Sequence, residues 1–552
     1  MKSIIKTYLL PALFIGAMTS SCSGFEDLNI NPTNPSPETV DPTFLLTPVL
    51  IKSTLDADSY QRIHNLYADT FCQYFANDKY SSNNCVPVEA WTQRYWELHW
   101  QWIDALNELI RNAENSPNHQ NVVQIARIWK AWQNSRATDL WGDIPYFEAA
   151  NGSGLAAAYD TQEAIYDDLL KELADASSKL DPNAANPTKV ELAKADIVFK
   201  GNINRWKQFA NSLRLRLAIR LTEVAPERAK KEAEAAAKAE GGLLSSNKDN
   251  VVMPRHKNYI FDTRYYYGPA HLFNGKRMTM SKSMEKLLTN LGGVAFPKKP
   301  NYKDVPEHVD PRGPKYFNVT NQYNGAAEEF RGRWKGVPSG LAVTDRDKPE
   351  NQRTNNSRIG VFFIGNTKET DVPFSVHYDR DMILMNYAEV CFLQAEAAAR
   401  GWNMGKTAET LYNEGIRASM EYMEIDKTIV DQYLTSTDKN NYGTSVKFSD
   451  VAGEHNTPLE KIITQKYIAN YPDNGWEAWN DYRRLHMPYL DPFVAPETGY
   501  VIEAGAHGWK GSVRRIPYPA EEKFMNEKNY EEVVKRIGED KTTTRVWWDA
   551  RK

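Results

Sequence analysis

Helical periodicity stops at Gly241-Gly242 and does not return until about residue 381. In between, Pro, Gly, Asn and Tyr are frequent, and only 279–290 carries a helix-like pattern. This is a loop-rich insertion of roughly 140 residues, and irregular stretches of that length usually carry function. The fold that accommodates it is mostly α: a helical scaffold, contributed by the chain on both sides, holding one long irregular insertion.

The scaffold can be read segment by segment. Before the insertion, helices are expected over about 44–78, 92–116, 120–140, 161–180, 202–224 and 226–240. Ile125, Ile128, Trp129 and Trp132 form a core-facing stripe at helical spacing, and the good helix formers from Glu232 to Glu240 end at Gly241-Gly242. After it, helices are expected over about 381–400, 404–424 and 458–470. In Met382–Arg400 the stripe Leu384, Ala388, Cys391, Ala395 and Ala398 is rich in small residues, which lets a neighbouring helix approach closely. Gly401 stops that helix and the next begins within a few residues, so the two should form an antiparallel pair. Paired helices early and late suggest tetratricopeptide-like packing, although no strict 34-residue repeat is visible.

The N-terminus has the anatomy of a secretory signal. Lys2 and Lys6 precede a short apolar run, Tyr8 to Met18, and then Thr19-Ser20-Ser21 lead to Cys22. A cysteine directly after small residues is the pattern of a bacterial lipoprotein signal, cleaved so that the chain begins at a diacylated Cys22; Thr19 stands where Leu is commonest. Two acyl chains suffice for stable anchoring. Residues 1–21 are thus expected to be the signal and 22–42 a tether kept extended by Pro32, Pro35 and Pro37. No later stretch of 18 apolar residues offers a membrane span.

With 67 Lys and Arg against 71 Asp and Glu, the net charge of −4 gives no basis for binding nucleic acid. Cys72 and Cys85 are either a disulfide or two buried thiols. The ten histidines include no close-set ligand pair, and no C-x-x-C occurs, so no metal site and no cofactor are expected; a structural calcium bracing a loop would leave no signature in sequence. The run Gly401-Trp402-Asn403-Met404-Gly405-Lys406-Thr407 lacks one residue of a phosphate loop and follows a helix, so it reads as a helix–helix turn. Neither G-x-S-x-G nor H-E-x-x-H is present. The 15 Trp and 29 Tyr exceed what a core alone needs and suit a recognition surface.

Six pieces in order resemble the SusD/RagB family of outer-membrane nutrient-binding lipoproteins, in the branch with a Trp-Gly-Asp-Ile-Pro-Tyr motif. They are Asn29-Ile30-Asn31-Pro32, Thr138 to Tyr146, Asp310-Pro311-Arg312, Asn386 to Val390, Leu393 to Gly401, and Arg515-Ile516-Pro517-Tyr518-Pro519 followed by Asn529-Tyr530. The resemblance implies one SusD-like domain over 43–552, with a tetratricopeptide-like scaffold at about 43–242 and 381–552. It implies a ligand-binding insertion at about 243–380. It further implies a lipid-anchored protein on the outer face of the outer membrane that captures oligosaccharides and passes them to a SusC-like TonB-dependent transporter, without being an enzyme. A peptide-capturing member of the family is the alternative within the binding class, and a surface glycan hydrolase the alternative outside it.

A sugar ring offers an apolar face that stacks on Trp or Tyr and hydroxyls that need planar polar partners. Two stretches combine these. The first holds Tyr80, Asn83, Asn84 and Trp91, with Tyr80 and Trp91 expected ahead of the helix; Trp96, at helical spacing with Trp100 and Ile103, is expected in the core instead. The family's ligand site draws on a corresponding early loop, which raises Trp91. The second holds Arg264-Tyr265-Tyr266-Tyr267, Asn274 and Arg333-Trp334; three successive tyrosines in an extended chain cannot all face a core. Tyr266, Asn274, Arg333 and Trp334 are therefore the candidates there. The Trp141–Tyr146 and Leu393–Gly401 motifs are read as scaffold.

Overall fold

The computed structural model describes residues 41–55, 60–77, 85–149, 156–184, 191–254, 278–321, 325–364, 381–495 and 513–551. Ahead of the insertion lie α1 (Thr43–Leu55), α2 (Glu89–Glu114), α3 (Gln120–Trp141), α4 (Gln162–Lys179), α5 (Ile203–Arg220) and α6 (Pro226–Lys238). Within it lies α7 (Lys282–Leu288), and after it α8 (Tyr387–Ala399), α9 (Ala408–Tyr422), α10 (Lys427–Thr435), α11 (Pro458–Ala469), α12 (Gly475–Leu485) and α13 (Glu527–Ile537). Successive helices pack on one another in the pairs α2–α3, α3–α4, α5–α6 and α8–α9. Helix α5 also packs on α4 and on α8, so the two halves of the scaffold share a core. The α8–α9 contact is close at Gly415 of α9, where a Cβ would come within 2.7 Å of the Phe392 ring of α8.

Two segments differ from the periodicity reading. Met382–Met385 is a strand, not the first turn of a helix; it pairs antiparallel with Val251–Met253 at the start of the insertion. The helix begins only at Tyr387, where the Asn386 side chain accepts the Glu389 N–H at 2.7 Å. Likewise 44–78 is not one helix. Its described part after α1 holds a π-helical stretch, Tyr60–Ala68, a short turn of helix and the strand Phe75–Asn77. Cys72, Cys85 and Cys391 are buried free thiols.

The scaffold is tied together by charges inside it. Glu389 and Glu396 lie two turns apart on one face of α8. Glu389 takes Arg216 of α5 at 2.7 Å, and Glu396 takes Arg484 of α12 at 2.6 Å. Arg220, one turn along from Arg216, pairs with Glu477 of α12 at 2.5 Å, and Lys466 of α11 pairs with Asp481 at 2.8 Å. Burial alone would raise the carboxyl of Glu396, but Arg484 and then Arg400 hold it below its ordinary value. Asp310 and Arg312 form another fully buried pair at 2.7 Å, joined by Tyr433 and Gln465. The Trp141–Tyr146 motif is scaffold too. Gly142 (φ +84°) ends α3 with its N–H on the Thr138 carbonyl at 2.7 Å, and the Asp143 carbonyl accepts the Tyr518 hydroxyl at 2.8 Å.

His99 of α2 is buried, and burial lowers its imidazole to about 3. The folded protein then binds fewer protons at His99 than the unfolded chain does. Its contribution is full above the unfolded value of 6.5 and is lost as pH falls toward the folded one. Glu460 acts in the opposite sense: burial raises it to about 7, so its contribution declines as pH rises from 4.5 to that value. The clean test is therefore a difference. Between about pH 7 and pH 5, His99→Gln should lose less melting temperature than the wild type. Parallel curves would show that His99 does not titrate between the two states.

Candidate binding site at one end of the insertion sheet

Strands of two or three residues, three from the irregular region and one from ahead of it, build a four-stranded sheet. Labelling strands in chain order, β1 is Phe75–Asn77, β2 Val251–Met253, β3 Met278–Met280, β4 Phe317–Asn318, β5 Arg358–Ile359 and β6 Met382–Met385. The sheet runs β1-β3-β5-β4 with every pair antiparallel. Its register pairs Asn77 with Met278, Thr279 with Arg358 and Phe317 with Ile359. The chain therefore leaves β1, enters β3 and leaves β5 at the same end of the sheet. Backbone pairing between residues some two hundred apart in sequence brings the two candidate stretches to neighbouring anchor points.

Tyr80, Asn83, Asn84, Tyr266 and Asn274 lie outside the described residues, and so do Arg264, Tyr265 and Tyr267. The other candidates can be placed. Trp91 is not ahead of the helix but in the first turn of α2, which starts three residues earlier than its periodicity indicates. The reason is tertiary. The Tyr67 hydroxyl accepts the Val88 N–H at 2.6 Å and donates to the Val88 carbonyl at 3.1 Å, fixing the residue before the helix. Burial raises that phenol to about 12, so it keeps its proton. The Trp91 ring is half-buried and packs on Tyr67, with centroids 5.7 Å apart. Trp96 is buried as expected, edge-on to Trp141 at 4.9 Å.

Arg333 and Trp334 part company. They are adjacent residues in an extended segment bridged to Asp304, so their side chains point to opposite sides. Arg333 is half-buried, with its Nε 3.3 Å from the Asp304 carboxylate and its guanidinium 5.1 Å above the Phe330 ring. Trp334 is fully buried, and this corrects the expectation that it offers its ring to a ligand. Its Nε1–H donates to the Phe317 carbonyl of β4 at 3.1 Å, and its ring packs edge-on to Phe296 at 5.7 Å. Gly332 and the neighbouring arginines suggest an exposed loop in sequence, yet the indole props up the outer strand of the sheet. In the middle of that sheet, burial and then Arg353 lower Arg358 to about 10, leaving it cationic at neutral pH.

The strands that gather the site were not legible, because two or three residues are too few to show a period. Among the described residues no group of three His, Cys, Asp or Glu could hold a metal ion, and no helix is long and apolar enough to cross a membrane.

Three solved structures show the same architecture over nearly the whole chain. A SusD homolog from Parabacteroides distasonis is 33% identical with a TM-score of 0.82, covering 93% of this chain and 98% of its own. A chitin-binding SusD homolog from Flavobacterium johnsoniae is 27% identical with a TM-score of 0.74, covering 93% and 99%. A SusD homolog from Bacteroides uniformis is 28% identical with a TM-score of 0.70, covering 94% and 100%. No curated protein matches the chain significantly. Residues 43–549 match the SusD-like family described as Susd and RagB outer membrane lipoprotein, and the chain belongs to that family of nutrient-binding outer-membrane proteins.

Proposed function

We propose that this protein is a lipid-anchored binding protein, not an enzyme, that faces the cell exterior, captures oligosaccharides and passes them to a SusC-like TonB-dependent transporter. Ligand is held where the chain leaves and enters the insertion sheet, by Tyr80, Asn83 and Asn84 from one segment and Tyr266 and Asn274 from the other. Trp91 and Arg333 are the further contacts in this reading. The observation that supports this reading is the Asn77–Met278 pairing, which sets the described residue before the first segment beside the described residue after the second. Tyrosine faces and amide edges together suit a ring with an apolar face and a hydroxyl rim. Trp334 supports the sheet and makes no ligand contact.

A glycan and peptide array probed with the mature chain without its lipid tests the ligand class. Chitin oligosaccharides are the first probes, because a relative 27% identical binds chitin. Glycan binding is expected; binding to peptides alone would favour the peptide-capturing alternative, and steady product release from a bound glycan would favour a hydrolase. The anchor has its own test. Cys22→Ser should move the protein out of the membrane fraction, and unchanged retention there would refute lipidation at Cys22.

A further inference from the structure

We infer that a cavity at the Trp141-Gly142-Asp143 turn is a second binding site, one that takes a single carboxylate group, from a small free acid or from an acidic sugar. Its volume is about 260 Å³, and its walls come from the end of α3, the start of α4, Arg515 and the stretch from Arg536 to Trp547. None of these wall residues belongs to the insertion sheet, so the inference does not depend on the glycan site proposed above.

Arg515 carries the argument. It is 1% exposed, with its guanidinium 4.4 Å from the Tyr518 ring centroid and its Nη1 held on Asp540 at 3.0 Å. Its Nε and Nη2 are buried and have no hydrogen-bond partner among the described residues. Nε and Nη2 form one edge of the guanidinium, whose parallel N–H bonds match the two oxygens of a carboxylate. Leaving such donors buried and unpaired is costly, and an occupant supplying two acceptors would remove that cost.

The rest of the wall adds a helix terminus and an aromatic face. Gln162 and Glu163 open α4, an 18-residue helix, so its positive end borders the cavity. Each arginine on the wall already has one carboxylate partner, Arg515 with Asp540, Arg536 with Asp143 and Arg545 with Asp549, so the unpaired edge of Arg515 is what is left open to an acceptor. Asp143 is already engaged, by Arg536 Nε at 2.7 Å and by the Gln162 N–H at 2.8 Å. Trp547, half-buried on the same wall, offers an apolar face to a ring, and the volume suits one sugar unit, not an oligosaccharide.

The test is calorimetric titration of the mature chain with glucuronate, acetate and glucose. Glucuronate should bind, acetate should compete with it, and glucose should not displace it. Arg515→Gln should weaken glucuronate binding at least about tenfold. Arg545→Gln, at a partly exposed residue, should weaken it in the same direction, and carries the test if the first variant does not fold. Glucuronate binding about tenfold tighter than acetate would identify an acidic sugar, and equal affinity a free carboxylate. Absence of binding by both acids, or affinities unchanged in the folded variants, would overturn the inference.

Discussion

Trp334→Ala is expected to destabilise the protein by about 3–5 kcal/mol, the range for truncating a fully buried large aromatic. Three losses combine in that substitution: the packing against Phe296, the hydrogen bond that satisfies the Phe317 carbonyl, and the filling of space against Gly313, whose built Cβ would lie 3.3 Å from the indole. Because β4 loses its support, ligand affinity should fall together with the melting temperature. Trp91→Ala should behave differently. Its ring is half-buried and packs on Tyr67, so stability should change much less while affinity falls about tenfold, in line with the loss of one stacked ring. Equal loss of stability in both variants would give Trp91 a packing role only. An unaffected melting temperature in Trp334→Ala would contradict its place beneath the sheet.

Arg484→Met should be at least as severe, at about 3–5 kcal/mol, because it leaves charged partners in the interior instead of removing a balanced pair. Glu396 loses both bonds from Arg484 and is left with Arg400, and Asp481 loses one of its two ion-pair contacts, keeping Lys466. Both carboxyls are held below their ordinary values despite burial, Asp481 by Lys466 and Arg484 and Glu396 chiefly by Arg484. Denaturant melts of Arg484→Met and of the double variant with Glu396→Leu would separate the two contributions. The double variant should recover part of the loss, since an apolar pair leaves no orphaned charge at position 396. A double variant as unstable as the sum of the single ones would show that the residues act independently.

These charges also explain why parts of the scaffold were legible in sequence and others were not. The stripe from Ala388 to Ala398 marked the α8–α9 pair correctly, whereas Leu384, read as part of the same stripe, lies in β6. Helix α12 went unread because Asn480, Asp481, Arg483 and Arg484 suggest a solvated surface, whereas all four are buried, on Asp139, Lys466, the Arg514 carbonyl and Glu396 respectively. No local pattern distinguishes a charge paired across the fold from one facing water. At the candidate site, β1, β3, β4 and β5 exist only through pairing with one another, so their order and register had no local trace. The same limit misplaced Trp334: an extended segment sends neighbours to opposite sides, and only the position of β4 decides which side is the core. Trp91 moved into α2 for a related reason, the long-range contact of Tyr67 with Val88.

The central claim is that the segments leaving β1 and entering β3 hold the ligand jointly. Hydrogen exchange followed by mass spectrometry, on the mature chain with and without a glycan selected on the array, tests it most directly. Peptides covering 78–84 and 255–277 should both gain protection at a saturating concentration, and Tyr80→Ala should reduce protection in the second segment as well as the first. Protection confined to other parts of the chain, with both segments unchanged, would contradict a ligand site at this end of the sheet.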